Sequence, residues 1–268
     1  MARTLRLRRD LDLEGASIII GLDGWVNAGS ASTLSLNYLI RKLEAEKLGE
    51  IPPGSFYGYS MRRPIVNVEG GLIKEYETPR NSIYAWKGDA RCLVLLLGVE
   101  PDLNWPGYSE AIMELSVATK ARRIYTLGGY ISMIPHTIEP PVTGSTNTSK
   151  LLGELKAAGI ELTNYRGPTG VYSQILWDGA QRGLEVVSLW TAVPQYVSVP
   201  NSKAALALLR KLTLMENIQV ALSDLENDAY ILDRKIAEEA KMNPELLRLI
   251  EELERGYKIF RASPSYRV

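Results

Sequence analysis

The sequence predicts an α/β fold: a three-layer α/β/α sandwich with a mixed, largely parallel sheet, an antiparallel insertion and a helical C-terminal region. Three observations predict it. Residues 17–22, 92–98, 123–128 and 185–193 are continuously apolar rather than alternating, as strands covered by helices on both faces require. Amphipathic helical stretches follow these strands, the succession of an α/β chain. From Asn201 onward the chain turns polar and helical, with no further strand pattern.

The first strand, 17–22, feeds a helix read over 28–47, with Leu34, Tyr38 and Leu39 on its apolar side and Gly49 as the residue that stops it. Residues 51–90 have another texture. "PIVNVEGGLIKEYE" reads as two short strands about a Gly70-Gly71 turn and "NSIYAW" as a third, an antiparallel insertion on the core. After the strand 92–98, Asn104-Trp105-Pro106-Gly107 reads as a turn into a helix over 108–120. The strand 123–128 opens a long loop, 129–149, in which Ser145, Thr146, Asn147 and Thr148 are candidates to cap the helix 149–158, itself ended by Gly159. Glycine-rich "YRGPTGVYS", 165–173, precedes another helical run. Beyond the strand 185–193, Asn201 caps a helix over 201–215, and Asn243-Pro244-Glu245 starts the last helix. Its apolar face, Leu246, Leu249, Ile250 and Leu253, requires burial on the sheet or on another subunit. The expected division is a core over 1–200, a helical region over 201–260 and a flexible tail over 261–268.

Composition narrows the function classes. Lys plus Arg and Asp plus Glu number 31 each, so no net field recruits nucleic acid or an anionic membrane, and neither partner is expected. No apolar run approaches the roughly 18 residues that cross a bilayer, and the basic N-terminus has no apolar h-region, which predicts a cytoplasmic protein. Cys92 is the only cysteine, read as a small core residue, and His136 the only histidine. Thiolate clusters and internal disulfides are therefore excluded, no metal or cofactor is expected, and any histidine-dependent mechanism runs through His136.

Ligands of open α/β sheets bind outside the carboxyl ends of the strands, which directs attention to the loops there. "GLDGWVNAGSAS", 21–32, has the glycine spacing of a phosphate loop, but Ser30 and Ala31 stand where Lys and a hydroxyl residue are needed. No G-x-G-x-x-G occurs either. What remains is a tight turn of Gly24, Asn27 and Gly29 that carries the strand into a helix, and His136 as a structural or interface residue; alternatively the turn holds an anion on backbone amides, with His136 as a general base. These residues form the ligand set of one alternative reading, an enzyme or sensor for phosphate, a nucleoside or a nucleotide. Asp23, Asp102 and Glu139 are the acids near strand ends and receive no role.

Five blocks in order, "GLDGWVNAGSASTLSLNYLIRKL", "CLVLLLGVEPDLNWPGYSEAI", "LGGYISMIPHTIEPPVTGSTN", "GPTGVYSQIL" and "LSDLENDAYILDRKIAEEAKMNPELLRLIEEL", resemble the proteasome assembly chaperone family in its archaeal and bacterial form. The likeness runs from about residue 17 to 257. It implies a phosphorylase/hydrolase-like core, subunits joined into oligomers, no established enzymatic activity, and binding to the α-ring of the core proteasome through C-terminal tails ending hydrophobic-Tyr-any. It also admits a second family member as partner. Here the chain ends Tyr266-Arg267-Val268, so tyrosine fills the hydrophobic slot and arginine stands where tyrosine belongs. Where the family shows "PHT", a basic residue and proline, this chain has Pro135-His136-Thr137, then Ile138-Glu139-Pro140, without the basic side chain.

Overall fold

Three consecutive isoleucines show how the sheet is covered. Ile19 enters one hydrophobic cluster while Ile18 and Ile20 enter another on the opposite face, because successive strand side chains point to opposite sides. The computed structural model describes residues 5–8 and 13–262. In chain order the elements are β1 (Arg6–Leu7), β2 (Ser17–Asp23), α1 (Ala31–Lys42), β3 (Glu46–Ile51), β4 (Ile65–Glu69), β5 (Leu72–Glu77), β6 (Asn81–Lys87), β7 (Cys92–Val99), α2 (Trp105–Ala118), β8 (Arg123–Ser132), β9 (Val142–Thr146), α3 (Leu152–Ala157), β10 (Glu161–Leu162), α4 (Val171–Gln181), β11 (Glu185–Pro194), α5 (Ser202–Glu216), α6 (Ser223–Met242) and α7 (Pro244–Ala262).

The main sheet runs β1-β3-β6-β7-β2-β8-β11-β9-β10. Its centre, β7-β2-β8-β11, is parallel, and these are the four continuously apolar segments of the sequence. Antiparallel pairings extend it on both sides, β6 on β7 and β9 on β11. Helices α1, α3 and α5 pack on one face, where Leu36, Leu39, Leu155, Leu208 and Leu212 are buried, and α2 and α4 on the other, with Tyr108, Ile112, Tyr172 and Ile175. The fold is therefore the three-layer α/β sandwich that the sequence predicts.

Several local expectations change. The first helix ends at Lys42, not 47, because Glu44 takes the left-handed position (φ 50°) that a glycine usually fills, with Ala45 N–H closing on the Ile40 carbonyl. Gly49 lies instead in β3, between β1 and β6, where a Cβ would come within 2.1 Å of the Arg6 carbonyl oxygen of β1. "NSIYAW" is part of the main sheet rather than of an insertion; only β4 and β5 stand apart, as a separate two-stranded ribbon. The long loop contains β9, and none of the four polar residues caps the following turn. Asn147 instead spans to the start of β11, donating to the Leu184 carbonyl (2.8 Å) and accepting from Val186 N–H (3.0 Å). Asn104 is a helix cap, accepting from Gly107 N–H. Cys92, half-buried, begins β7 at the margin of the core.

Asn201 caps α5 through Ala204 N–H (2.9 Å), and Asn243 caps α7 through Glu245 and Leu246 N–H. α5 belongs to the layer on the sheet, whereas α6 and α7 form a hairpin beyond it. The apolar face of α7 packs on α6 rather than on the sheet: Ile250 meets Leu232, Ile236 and Ala240 of α6 and Val197, a third small cluster.

Candidate functional site

β2 and β7 are adjacent and parallel, yet the helix after β2 covers one face of the sheet and the helix after β7 the other. Chains diverging in this way leave a crevice outside the strand ends, the topological switch point at which open α/β sheets bind ligands. A cleft of about 530 Å³ lies there, between the loop after β2, the loop after β7 and the turn into α4.

Its floor is Glu100, the first residue beyond β7 and 7 % exposed. Glu100 N–H donates to the Asp23 carbonyl (2.7 Å), tying the two strand ends together. Its carboxylate accepts from Trp25 N–H (3.0 Å) through Oε2 and from Val171 N–H (3.1 Å), the first residue of α4, through Oε1. Negative charge at a helix N-terminus is favoured by about 0.3–1 kcal/mol, and each hydrogen bond to a charged group by about 1.5–3 kcal/mol. Two glycines permit this approach. A Cβ on Gly24, whose φ is +131°, would lie 2.9 Å from Glu100 Cβ, and one on Gly170 would lie 2.6 Å from Glu100 Oε1. Asp102 accepts from Gly58 N–H (3.1 Å) and faces Arg62 at 3.6 Å, while Trp105 is fixed by donating to the Pro101 carbonyl (2.8 Å). Trp25, 64 % exposed, forms the open side.

The residues singled out in the sequence divide among three places. Gly24 borders this cleft. Asn27 closes the start of α1 on itself: its Oδ1 accepts from Thr33 N–H (3.1 Å), its amide donates to Asp23 and Thr33, and its carbonyl accepts from Ser30 N–H. The backbone amides of Asn27, Ser30 and Thr33 are thereby occupied within the turn. Gly29 lies against Val193 and Asn201, its carbonyl accepting from Asn201 N–H (2.7 Å). His136 sits farther along the same edge, beside the α6–α7 hairpin.

There His136 is buried, with its Nδ1 2.9 Å from the Tyr196 hydroxyl. The same hydroxyl accepts His136 N–H (2.6 Å), so Tyr196 holds both the ring and the backbone of His136. Burial holds the ring below the ordinary value of 6.5, against the pull of Asp233; Lys203 lowers it further and Glu254 opposes. Lys203 donates to the His136 carbonyl and pairs with Asp233 (2.5 Å), and Thr137 donates to Glu254 (2.6 Å). His136 and Thr137 thus fasten their loop to α5 and α7, and Lys203 ties α5 to α6. Tyr266, Arg267 and Val268 lie outside the described residues. No group of three or more metal-ligating side chains occurs among the described residues. Among them, too, no helix is long and apolar enough to cross a membrane.

Glu100 and Arg62 escaped the sequence reading, and Asp102 received no role in it. The signal for Glu100 was its place, the first acid after an apolar strand with Pro next to it; what makes it a floor is Gly170, seventy positions away by number and adjacent only in the fold.

Comparison with known proteins agrees with this architecture. An uncharacterised protein of Methanocaldococcus jannaschii is 27 % identical over 241 residues, covering 88 % of this chain and 87 % of its own. A proteasome-assembly chaperone homologue of Mycobacterium tuberculosis superimposes with a TM-score of 0.80 at 28 % identity, over 87 % of this chain and 99 % of that one. An archaeal proteasome activator of Pyrococcus furiosus, at 22 % identity, shares the fold with a TM-score of 0.71 over 88 % of this chain and 97 % of its own. The PAC2 family model matches residues 21–240, from within β2 to the last turn of α6, and the chain belongs to the PAC2 family.

Proposed function

We propose that this protein is an oligomeric, non-catalytic proteasome assembly chaperone or proteasome-binding adaptor, acting in the cytoplasm. The kinship with a proteasome-assembly chaperone homologue supports the proteasome-related role. The observation in this chain that carries the oligomeric part is the β4–β5 ribbon. Gly70 and Gly71 both have positive φ, 58° and 82°, the geometry of a tight two-residue hairpin turn. The register pairs Val66 with Tyr76 and Val68 with Ile73, so these four share one face, and all are exposed. The other face carries Glu69, Glu75 and Glu77 along with Ile65 and Leu72. A lone two-stranded ribbon is marginal in water, and an apolar face on it calls for a covering surface. Second copies of this chain supply that surface in our reading, with a second family member as the hetero-oligomeric variant.

Docking on the α-ring of the core proteasome falls to the C-terminal tail, Tyr266, Arg267 and Val268, repeated around the oligomer. Weak single tails gain about 10²–10⁴ in avidity when several engage together. Pull-down of core particles by the full chain and by a chain lacking residues 264–268 tests this. Capture by the full chain alone is the expected result; equal capture by both, or by neither, overturns tail docking.

A further inference from the structure

The cleft at the β2/β7 switch point has a chemistry that the oligomeric role does not use. Each oxygen of the Glu100 carboxylate takes one backbone N–H, from Trp25 and from Val171. An ionised carboxylate has about four acceptor positions, so roughly half of its capacity remains for a donor in the cleft. The basic group in the wall is Arg62, and it faces Asp102 at 3.6 Å; no ion pair joins Glu100 to a basic side chain among the described residues. Aromatic surface flanks the acid. A Cβ on Gly170 would touch both Glu100 Oε1 (2.6 Å) and Trp25 Cε3 (3.5 Å), which places the Trp25 indole beside the carboxylate, and Trp105 lines the same space.

We propose that this cleft binds a small organic cation, a guanidinium or alkylammonium compound, with Glu100 taking its N–H donors and the Trp25 indole covering its face. Indole faces attract such cations through the ring quadrupole, and a planar guanidinium both stacks and donates in pairs. A volume of about 530 Å³ admits a ligand of metabolite size. The same geometry disfavours phosphate. An anion would meet the two carboxylates of Glu100 and Asp102 against the single guanidinium of Arg62, which already faces Asp102, and the first amide of α4, which would otherwise receive it, already donates to Glu100.

The test titrates the full-length protein, its tryptophans labelled with nitrogen-15, with agmatine, n-butylammonium and, separately, inorganic phosphate and AMP. The expected result is saturable movement of the Trp25 and Trp105 indole signals with the two cations and none with the anions. Glu100→Gln weakens cation binding by about ten-fold or more, the loss of a charge-assisted hydrogen bond. Because that amide also meets two backbone donors, Trp25→Ala, at an exposed position, provides an independent variant, and it weakens binding several-fold while leaving the fold intact. Absence of saturable shifts with both cations at millimolar concentration, affinity unchanged in Trp25→Ala, or binding of phosphate or AMP in their place would overturn the proposal.

Discussion

β6 and the β4–β5 ribbon come from neighbouring parts of the chain and have the same kind of sequence, short apolar-rich stretches bounded by turns, yet they meet opposite fates. In β6 the residues from Asn81 to Trp86 alternate buried and half-buried, with β7 paired on one edge and β3 on the other. In the ribbon every residue of both strands is exposed. The difference arises from what the chain offers as anchors. Asn81, at the start of β6 and fully buried, accepts from Val99 N–H (3.0 Å) and from the Tyr108 hydroxyl (3.0 Å) and donates to the Tyr57 hydroxyl (2.5 Å). Among the described residues, nothing comparable holds the ribbon to the core. A strand pattern thus states a conformation; burial depends on partners that the pattern does not contain.

The largest effect is expected where the anchor is cut. Asn81→Ala leaves the Tyr108 hydroxyl and Val99 N–H without a partner in the interior, while the Tyr57 hydroxyl keeps its bond to the Val99 carbonyl, at about 1–3 kcal/mol for each group left unsatisfied. A loss of about 3–5 kcal/mol in urea unfolding follows, with the solution mass of the surviving folded protein unchanged. Gly98→Ala attacks the same anchor from the other side, since a Cβ there would lie 1.9 Å from Asn81 Oδ1. Overpacking of this kind costs about 1–3 kcal/mol. Equal stability of Gly98→Ala and the parent would show that the anchor yields more readily than its geometry implies. On the ribbon the expectation reverses. Val66→Lys with Ile73→Lys changes the stability of the single chain by no more than about 0.5 kcal/mol, as for exposed sites in general, while the association of subunits is lost.

The smallest effect is the pH dependence at His136. Its folded value lies below the ordinary 6.5, chiefly through burial. Between the two values the unfolded chain binds more protons than the folded one. Stability contributed here is therefore present above about 6.5 and declines as the pH falls toward the folded value, levelling beneath it. His136→Gln should flatten that part of the profile, followed by thermal unfolding across the acid range. An unchanged slope would place the acid sensitivity elsewhere.

Much of this architecture was legible in the sequence, and the limits have physical causes. The four central strands announce themselves because burial on both faces forces continuous apolar character. Asn201 and Asn243 were legible as caps because their partners lie within three residues. The end of α1 was not, because Glu44 occupies a position where glycine is the usual signal. β9 was not, because "VTGST" carries little apolar weight and is held by pairing with β11. At the carboxyl edge, Gly24, Asn27 and Gly29 were correctly seen as a tight turn, but the use of every Asn27 group inside that turn is a fact of three-dimensional closure. Glu100 depends on amides from Trp25 and Val171, a pairing that no local pattern reports.

The reading of the ribbon as an interface between copies of this chain is tested most directly by sedimentation equilibrium of the parent and of the Val66→Lys, Ile73→Lys variant under identical conditions, with circular dichroism confirming that both are folded. The account predicts a multiple of the chain mass for the parent and the mass of one chain for the variant. A parent that sediments as one chain, or a variant that keeps the mass of an oligomeric parent, would contradict it.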